Sequence, residues 1–541
     1  MKKYALHTML CLLALAPAGA SAQTPTAPIH NPFLADSAYP VAHGYGDLTP
    51  FAGPKASSRQ LQVDEIAWKK VGPINGYAPI FSNPYPNGKR VIWVGGYDRV
   101  AKLDAESLEV LTTYGLGGNT YFGEEEIDRH IARMDAMNDE QVAVYEQNLW
   151  RIPYRSVQSA YRMISRDNEL YMPYRSSEGI ALRVFADSDP ADPASDIVLK
   201  REWKVPPELS RANIMSVNMT YDGWVVMVTQ DGVMVALARD FSQHKTLKLP
   251  RKGEEPAEAN FFAAFVRNGL TVDNQNGIYV VTRDNLHRVQ WTGSKLSLDE
   301  ADGAWSAAYP NEVSIGSGTT PTPMGWGPKE DHLVIIADGT KGNRAMALWR
   351  DKIPSNWKGL PGYDRRVAGV TPIVFGVSPN ESIQVENAAV VYGYGAFFNN
   401  FDNSFLTQFM PKAKKAAERE DTSGVVHLPG KVSAGGSRID WDPKNRTLKT
   451  VWKNQTNFVN TVCTVSSGSN MVYCWGMRDR QWTLEGVDWK SGASAVHYTL
   501  GPSKRYDALG GPIIVDHNGD VNCACSGGLG MVRVRVKNAK E

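Results

Sequence analysis

Between Val272 and Trp291 the chain reads VDNQNGIYVVTRDNLHRVQW: a polar Asn/Gly turn, an apolar run, a second polar turn and another β-rich run. Short apolar runs bounded by Asn, Asp and Gly predict strands joined by tight turns. The same alternation recurs in GKRVIWVGGYDRVAKLD at Ile92, SRDNELYMPYRSSEGIALRV at Leu170, TYDGWVVMVTQDGVMVALA at Val225 and EDHLVIIADGTKGNRAMALW at Leu333. It returns in NAAVVYGYGAFF at Val390, SNMVYCWGMRDRQWTLEGVDW at Val472 and HNGDVNCACSGGLGMVRVRV at Val521. Aligned on the first apolar residue of each second strand, the units lie 78, 55, 53, 55, 57, 82 and 49 residues apart. A period near 55 residues holds a four-stranded meander, the size of a propeller blade. The pattern therefore predicts an all-β chain folded as a single eight-bladed β-propeller, with seven blades as the alternative because the ends are the least regular.

Two long intervals interrupt the period. Residues 117–155 contain two helical patches, with acids gathered at the start of the first and Asn138 as N-cap of the second. Residues 398–430 run from aromatic through basic to acidic, and SRIDWDPKNRTLKTVW after them reads as the outer strands of the interrupted blade. Both insertions are candidate lids, since long loops in compact folds tend to be functional. The domain reading is a leader over 1–22, an extended Gly/Pro-rich arm over 23–75 containing His43, and the propeller over 76–541.

Composition narrows the class. With 58 basic and 57 acidic residues the chain lacks the overall basic charge that phosphate neutralisation demands, so no nucleic-acid partner is expected. The N-terminal MKKYALHTMLCLLALAPAGASAQT has a basic start, a short apolar core and a small-residue site before Gln23. That is a secretory signal, too short to span a bilayer, and it predicts a periplasmic or secreted protein without a membrane span. Its cleavage leaves Cys463, Cys474, Cys523 and Cys525 in an oxidising compartment. Cys463 and Cys474 are symmetric about the Gly468-Ser469 turn and are expected to form a cross-strand disulfide. The Cys523-Ala524-Cys525 pair points to one sheet face and is left unassigned, and no C-x-x-C motif supports zinc.

In a propeller the turn between the second and third strands reaches the same face as the link from the preceding blade, so these corners gather around the channel mouth. They carry Tyr97 and Asp98, Tyr174 and Arg175, Asp231, Arg283 and Asp284, Asp338, Tyr394, and Arg478 to Arg480; the links add Asn213, Thr319, Thr320, Asn460, Tyr506 and Asp507. Arg forks onto carboxylates and Tyr donates or accepts, which suits an anionic or polyhydroxylated ligand. Tight turns by themselves ask for Asp and Asn, but not for Arg or Tyr. Arg175, Arg283, Tyr394, Tyr174 and His130 are therefore the catalytic candidates; Asp231, Asp284, Asn213, Asn460 and Arg478 are the ligand-binding ones. An Arg/Tyr pair could take an α-proton if the Tyr pKa were lowered. His130, in EEEIDRH, is a candidate base or, with Glu126, a metal ligand; a solvated helix face is the alternative.

WDPKNRTLKTVW, KLDAESLEVLTTYG and GVDWKSGASAVHYTLG share an apolar-Asp, polar turn, apolar strand pattern. This resembles the blade repeats of quinoprotein-like propellers, which include PQQ-dependent alcohol dehydrogenases and outer-membrane assembly propellers. The resemblance implies the architecture. The adjacent Cys-Cys pair of many PQQ dehydrogenases and a haem C-x-x-C-H motif are missing, so PQQ is disfavoured, the cofactor stays open, and a single channel ion remains compatible. The expectation is an exported propeller enzyme acting on a small organic or carbohydrate-like, anionic ligand by lyase or isomerase chemistry. The alternatives are a noncatalytic scaffold binding an envelope or secreted protein and, more weakly, a quinoprotein-type oxidoreductase.

Overall fold

The computed structural model describes residues 25–36, 47–72, 79–96, 98–117, 123–146, 161–251, 264–312, 316–376, 385–401, 434–459, 461–508, 512–525 and 529–537. Their strands form eight sheets. In chain order the sheets occupy 80–115, 163–204, 214–248, 271–308, 322–372, 390–457, 464–501 and 514–534. Within each, successive strands pair antiparallel as a meander. Central strands such as Val225–Thr229 are buried on both faces, whereas the outer strand His244–Lys248 is mostly exposed. The gradient explains the sequence pattern: inner strands are sandwiched between neighbouring sheets and read as unbroken apolar runs, and only outer strands show polar positions to water. One buried cluster joins Ile514, Ala524 and Met531 of the last sheet to Phe81, Trp93 and Val100 of the first, which closes the circle. The chain is an all-β propeller.

Neighbouring sheets are also pinned by a repeated dock. The Trp291 indole donates to Asp222 Oδ2 at 3.0 Å and the Trp441 indole to Asp331 Oδ2 at 2.9 Å. In both cases a Trp from a third strand reaches the first turn of the preceding sheet. Each indole thereby buries its ring and satisfies its one donor.

The arm is part of this architecture. Ile66–Lys70 pairs antiparallel with Gly530–Val534 and supplies the outer strand of the eighth sheet. Upstream, Leu48–Thr49 pairs in parallel with Val465–Ser466 on the inner edge of the seventh sheet, and Arg59–Gln60 pairs in parallel with its outer strand at Tyr498–Thr499. Further back, residues 25–36 cross the turns between first and second strands. Tyr221 donates to Ile29 O at 2.6 Å, Asn31 to Met219 O at 2.8 Å, and Asp36 N to Asn83 Oδ1 at 2.8 Å. Glycines in those turns permit the approach: a β-carbon on Gly393 would lie 2.7 Å from Pro25, and one on Gly468 2.5 Å from Pro50 O. The arm thus straps the face opposite the mouth.

One unit departs from the alignment. Val390–Tyr392 is a first strand, not a second: Tyr392 pairs with Gly395, and Gly395–Asn399 is the second strand. Tyr394 therefore sits in a first turn on the strapped face, away from the mouth. A two-residue Gly393-Tyr394 turn made two strands read as one.

Candidate functional site

The mouth face is built from the inter-sheet links and the turns between second and third strands. At its hub, side chains from four links meet. Arg267, ahead of the fourth sheet, contacts Glu386, ahead of the sixth, at 2.5 Å, with both side chains largely buried. Tyr161, ahead of the second sheet, bridges to Ser216 and hydrogen-bonds with Thr320, ahead of the fifth. Gly269 N donates to Thr320 Oγ1 at 3.1 Å, and a β-carbon on Gly269 would stand 3.1 Å from the Tyr161 ring. Glycine at this position eases the close approach of the links. Beside Glu386, Asn387 Nδ2 donates to Thr461 O at 3.0 Å, while the buried Thr461 hydroxyl has no partner among the described residues. Burial raises the Tyr161 pKa, so Tyr161 stays a protonated phenol and is not a base.

The turns add a second layer. Arg283 and Asp284 lie in the turn of the fourth sheet, where Tyr309 Oη donates to Arg283 O at 2.8 Å and Ser317 N donates to Tyr309 Oη at 2.9 Å. Asn268 Nδ2 donates to Ser317 O at 2.7 Å, which ties this turn to the Arg267 link. Arg175 and Asn213 are brought together: Arg175 Nε donates to Asn213 Oδ1 and its Nη2 to Arg211 O at 2.9 Å. Tyr174 donates to Leu116 O at 2.8 Å. Asp231 accepts from Ser210 Oγ at 2.7 Å and from Thr229. Arg478 forks onto the buried Glu485 at 2.8 and 2.7 Å. Asn460, Tyr97 and His43 lie outside the described residues. The expected trio of Arg175, Arg283 and Tyr394 does not form, because Tyr394 is on the other face and its hydroxyl accepts from Asp331 N at 2.5 Å.

The helical insertion lies over one sector of the mouth. Helix Glu124–Asp135 is followed by a second helical stretch at 139–146. Asp135 accepts from Ser503 Oγ at 2.7 Å and Lys504 N at 2.6 Å, and Arg480 donates to Asp139 at 2.8 Å. Beneath it, Lys504 is paired with Glu146 at 3.0 Å and with Asp507. All three are almost fully buried, and the ammonium lies 5.7 Å from the Trp482 ring centre. Burial raises the Glu146 pKa to about 7 against the pull of Lys504. His130 is held on the first helix with Tyr145 and, at 3.8 Å, Glu126, and burial lowers its pKa. Among the described residues no group of three His, Cys, Asp or Glu side chains is arranged to hold a metal ion.

Sequence reasoning missed Tyr161, Arg267, Glu386 and Glu146. The first three precede the first strand of their sheets by a few residues, and reading each link back from its strand would have found them. Glu146 had no repeat signal, because it comes from an insertion.

These features define a β-propeller with one strapped face and one polar mouth. No family model matches the sequence. An uncharacterised protein of Archaeoglobus fulgidus is 28% identical over 440 residues, covering 79% of this chain and 74% of that protein. Among solved structures, the chain is similar to BamB from Moraxella catarrhalis at 10% identity, covering 67% of this chain and 96% of that one, with a TM-score of 0.35. It is similar to virginiamycin B lyase from Staphylococcus aureus at 10% identity, covering 79% and 96%, with a TM-score of 0.35. The β-propeller domain of Swd1 from Myceliophteria thermophila is 10% identical, covering 69% and 95%, with a TM-score of 0.37.

Proposed function

We propose that the chain is an exported eight-bladed propeller that binds a small anionic, polyhydroxylated molecule at the mouth hub and acts on it as a lyase or isomerase. The observation that carries the reading is the convergence of Arg267, Glu386, Tyr161 and Thr320 from four links at the end the strap leaves open. Arg267 offers a fork to a carboxylate and Tyr161 a phenol donor. Glu386 is the group able to accept an α-proton, with the proton returned to carbon in isomerisation or kept while a leaving group departs in elimination. The Thr461 hydroxyl, buried and without a partner among the described residues, supports a ligand there, since buried polar atoms are nearly always paired. Export rests on the signal-like leader and the Cys463–Cys474 disulfide, which suits an oxidising compartment. Among the described residues no helix is long and apolar enough to cross a membrane.

The test is thermal-shift titration of the native protein with small carboxylates and sugar acids, repeated with Arg267→Ala and Arg283→Ala. Stabilisation by at least one ligand, lost in Arg267→Ala, is the expected result. A panel without effect, or binding that survives Arg267→Ala, rejects the hub. One observation favours a noncatalytic scaffold instead: the mouth charges Arg478, Arg267 and Lys504 are already paired within the chain. That reading predicts a protein partner and no small-molecule stabilisation.

A further inference from the structure

The strapped face holds a cavity of about 70 Å³, where the incoming arm meets the first, seventh and eighth sheets. By the same measure a single water needs about 10–15 Å³, so the space takes several waters or one small organic molecule. Its walls are largely apolar, with Leu48, Phe51, Phe81, Ile514 and Val515. Into it projects Asp47, 2% exposed, whose Oδ1 is buried and has no hydrogen-bond partner among the described residues. Asp47 is fixed by its backbone, since Val465 N donates to Asp47 O at 2.9 Å. Its φ of 52° belongs to the left-handed region that Asp and Asn tolerate.

The charges around the cavity point to its occupant. Asp516 accepts from Asn522 at 2.9 Å and has Arg533 at 3.7 Å, Asp36 lies in the field of Arg90, and His517 faces Glu106 at 3.4 Å. Arg90, also on the cavity wall, donates to Ser82 O at 2.7 Å and lies in the field of Asp36, and among the described residues no cation is paired with the Asp47 carboxylate. An isolated buried carboxylate is costly, and burial accordingly pushes the Asp47 pKa far up. A ligand carrying one positive charge would restore the balance. The Phe51 and Phe81 rings favour an organic cation over a strongly hydrated inorganic one, through contact with apolar groups and the ring faces.

We propose that this cavity binds a small organic monocation, an alkylammonium-type group held by the Asp47 carboxylate between Phe51 and Phe81. The site is separate from the mouth hub and independent of the activity proposed there. It couples ligand to architecture, because Asp47, Leu48 and Thr49 belong to the segment that lines the inner edge of the seventh sheet.

The test is calorimetric titration of the intact protein with propylammonium, with 1-propanol as the uncharged isostere and potassium chloride as the inorganic cation. The expected result is saturable binding of propylammonium, no binding of propanol, and displacement by potassium only at concentrations at least about tenfold higher, a difference of about 1.4 kcal/mol. Asp47→Asn keeps the shape and the left-handed backbone while removing the charge, and is expected to weaken propylammonium binding at least tenfold. Absence of propylammonium binding, equal binding of propanol, equal displacement by potassium, or unchanged affinity in Asp47→Asn would each overturn the proposal. The wild-type titrations decide the matter even if the variant fails to fold.

Discussion

Gly530 lies against the indole of Trp68: a β-carbon at Gly530 would stand 2.0 Å from the ring. The two residues lie on the paired strands that complete the eighth sheet, one from the arm and one from the last repeat. Because the half-buried indole must swing aside to make room, Gly530→Ala is expected to destabilise the protein by about 1 kcal/mol, the low end of the usual cost of overpacking. Urea unfolding measures it. Combining Gly530→Ala with Trp68→Ala should cost less than the sum of the two, and strict additivity would show that the contact does not close the sheet.

Glu146 should make the helical insertion pH-sensitive. Its folded pKa is raised from 4.5 to about 7, so the folded protein holds this proton more tightly than the unfolded chain. Its contribution to stability is therefore present below about pH 4.5 and is lost as the pH rises through about 7. Lys504, whose pKa is also raised, keeps its proton across that window. Melting temperatures of wild type and Glu146→Gln between pH 5 and 8 are expected to differ in slope, with the variant flatter. Parallel profiles would remove Glu146 as the titrating group.

The disulfide offers a separate handle. Cys463 and Cys474 are separated by 11 in sequence, in the hairpin of the two inner strands of the seventh sheet. Replacing both with Ala should lower stability by about 2–4 kcal/mol, as expected for a loop of this size. Denaturation with and without reductant checks it, and reductant should no longer affect the variant.

The strap predicts a local effect. Asn31 buries its amide to donate to Met219 O, so Asn31→Ala leaves a buried carbonyl short of a donor, at a cost of about 1–3 kcal/mol. Amide exchange should accelerate in residues 29–36 and at the first turn of the third sheet while the seventh sheet stays protected. Uniform acceleration across all sheets would mean that the strap is not a separable unit.

The fold was legible where the repeat was strong. Central strands packed on both sides write themselves as Val/Ile/Met runs, and Asn, Asp and Gly mark their turns, so the meanders could be aligned by eye. The Cys463–Cys474 hairpin followed from symmetry alone. Tyr394 was misplaced because Gly393 and Tyr394 make so short a turn that the polar break between strands vanished. The hub was harder to read. Arg267 and Glu386 are far apart in sequence and meet only because their links converge; each link could be read back from its first strand, but nothing in either names its partner across the axis. The strap left no repeat signal, since its residues pair with strands that come hundreds of positions later.

The pairing of Ile66–Lys70 with Gly530–Val534 also imposes an order of events on biogenesis. Ile66–Lys70 must wait, unsatisfied, until Gly530–Val534 has been made, so the ring cannot close before that strand emerges. Until then a bare edge strand and an open flank are exposed, and this interval is where a holdase or a sticky neighbour would find the molecule.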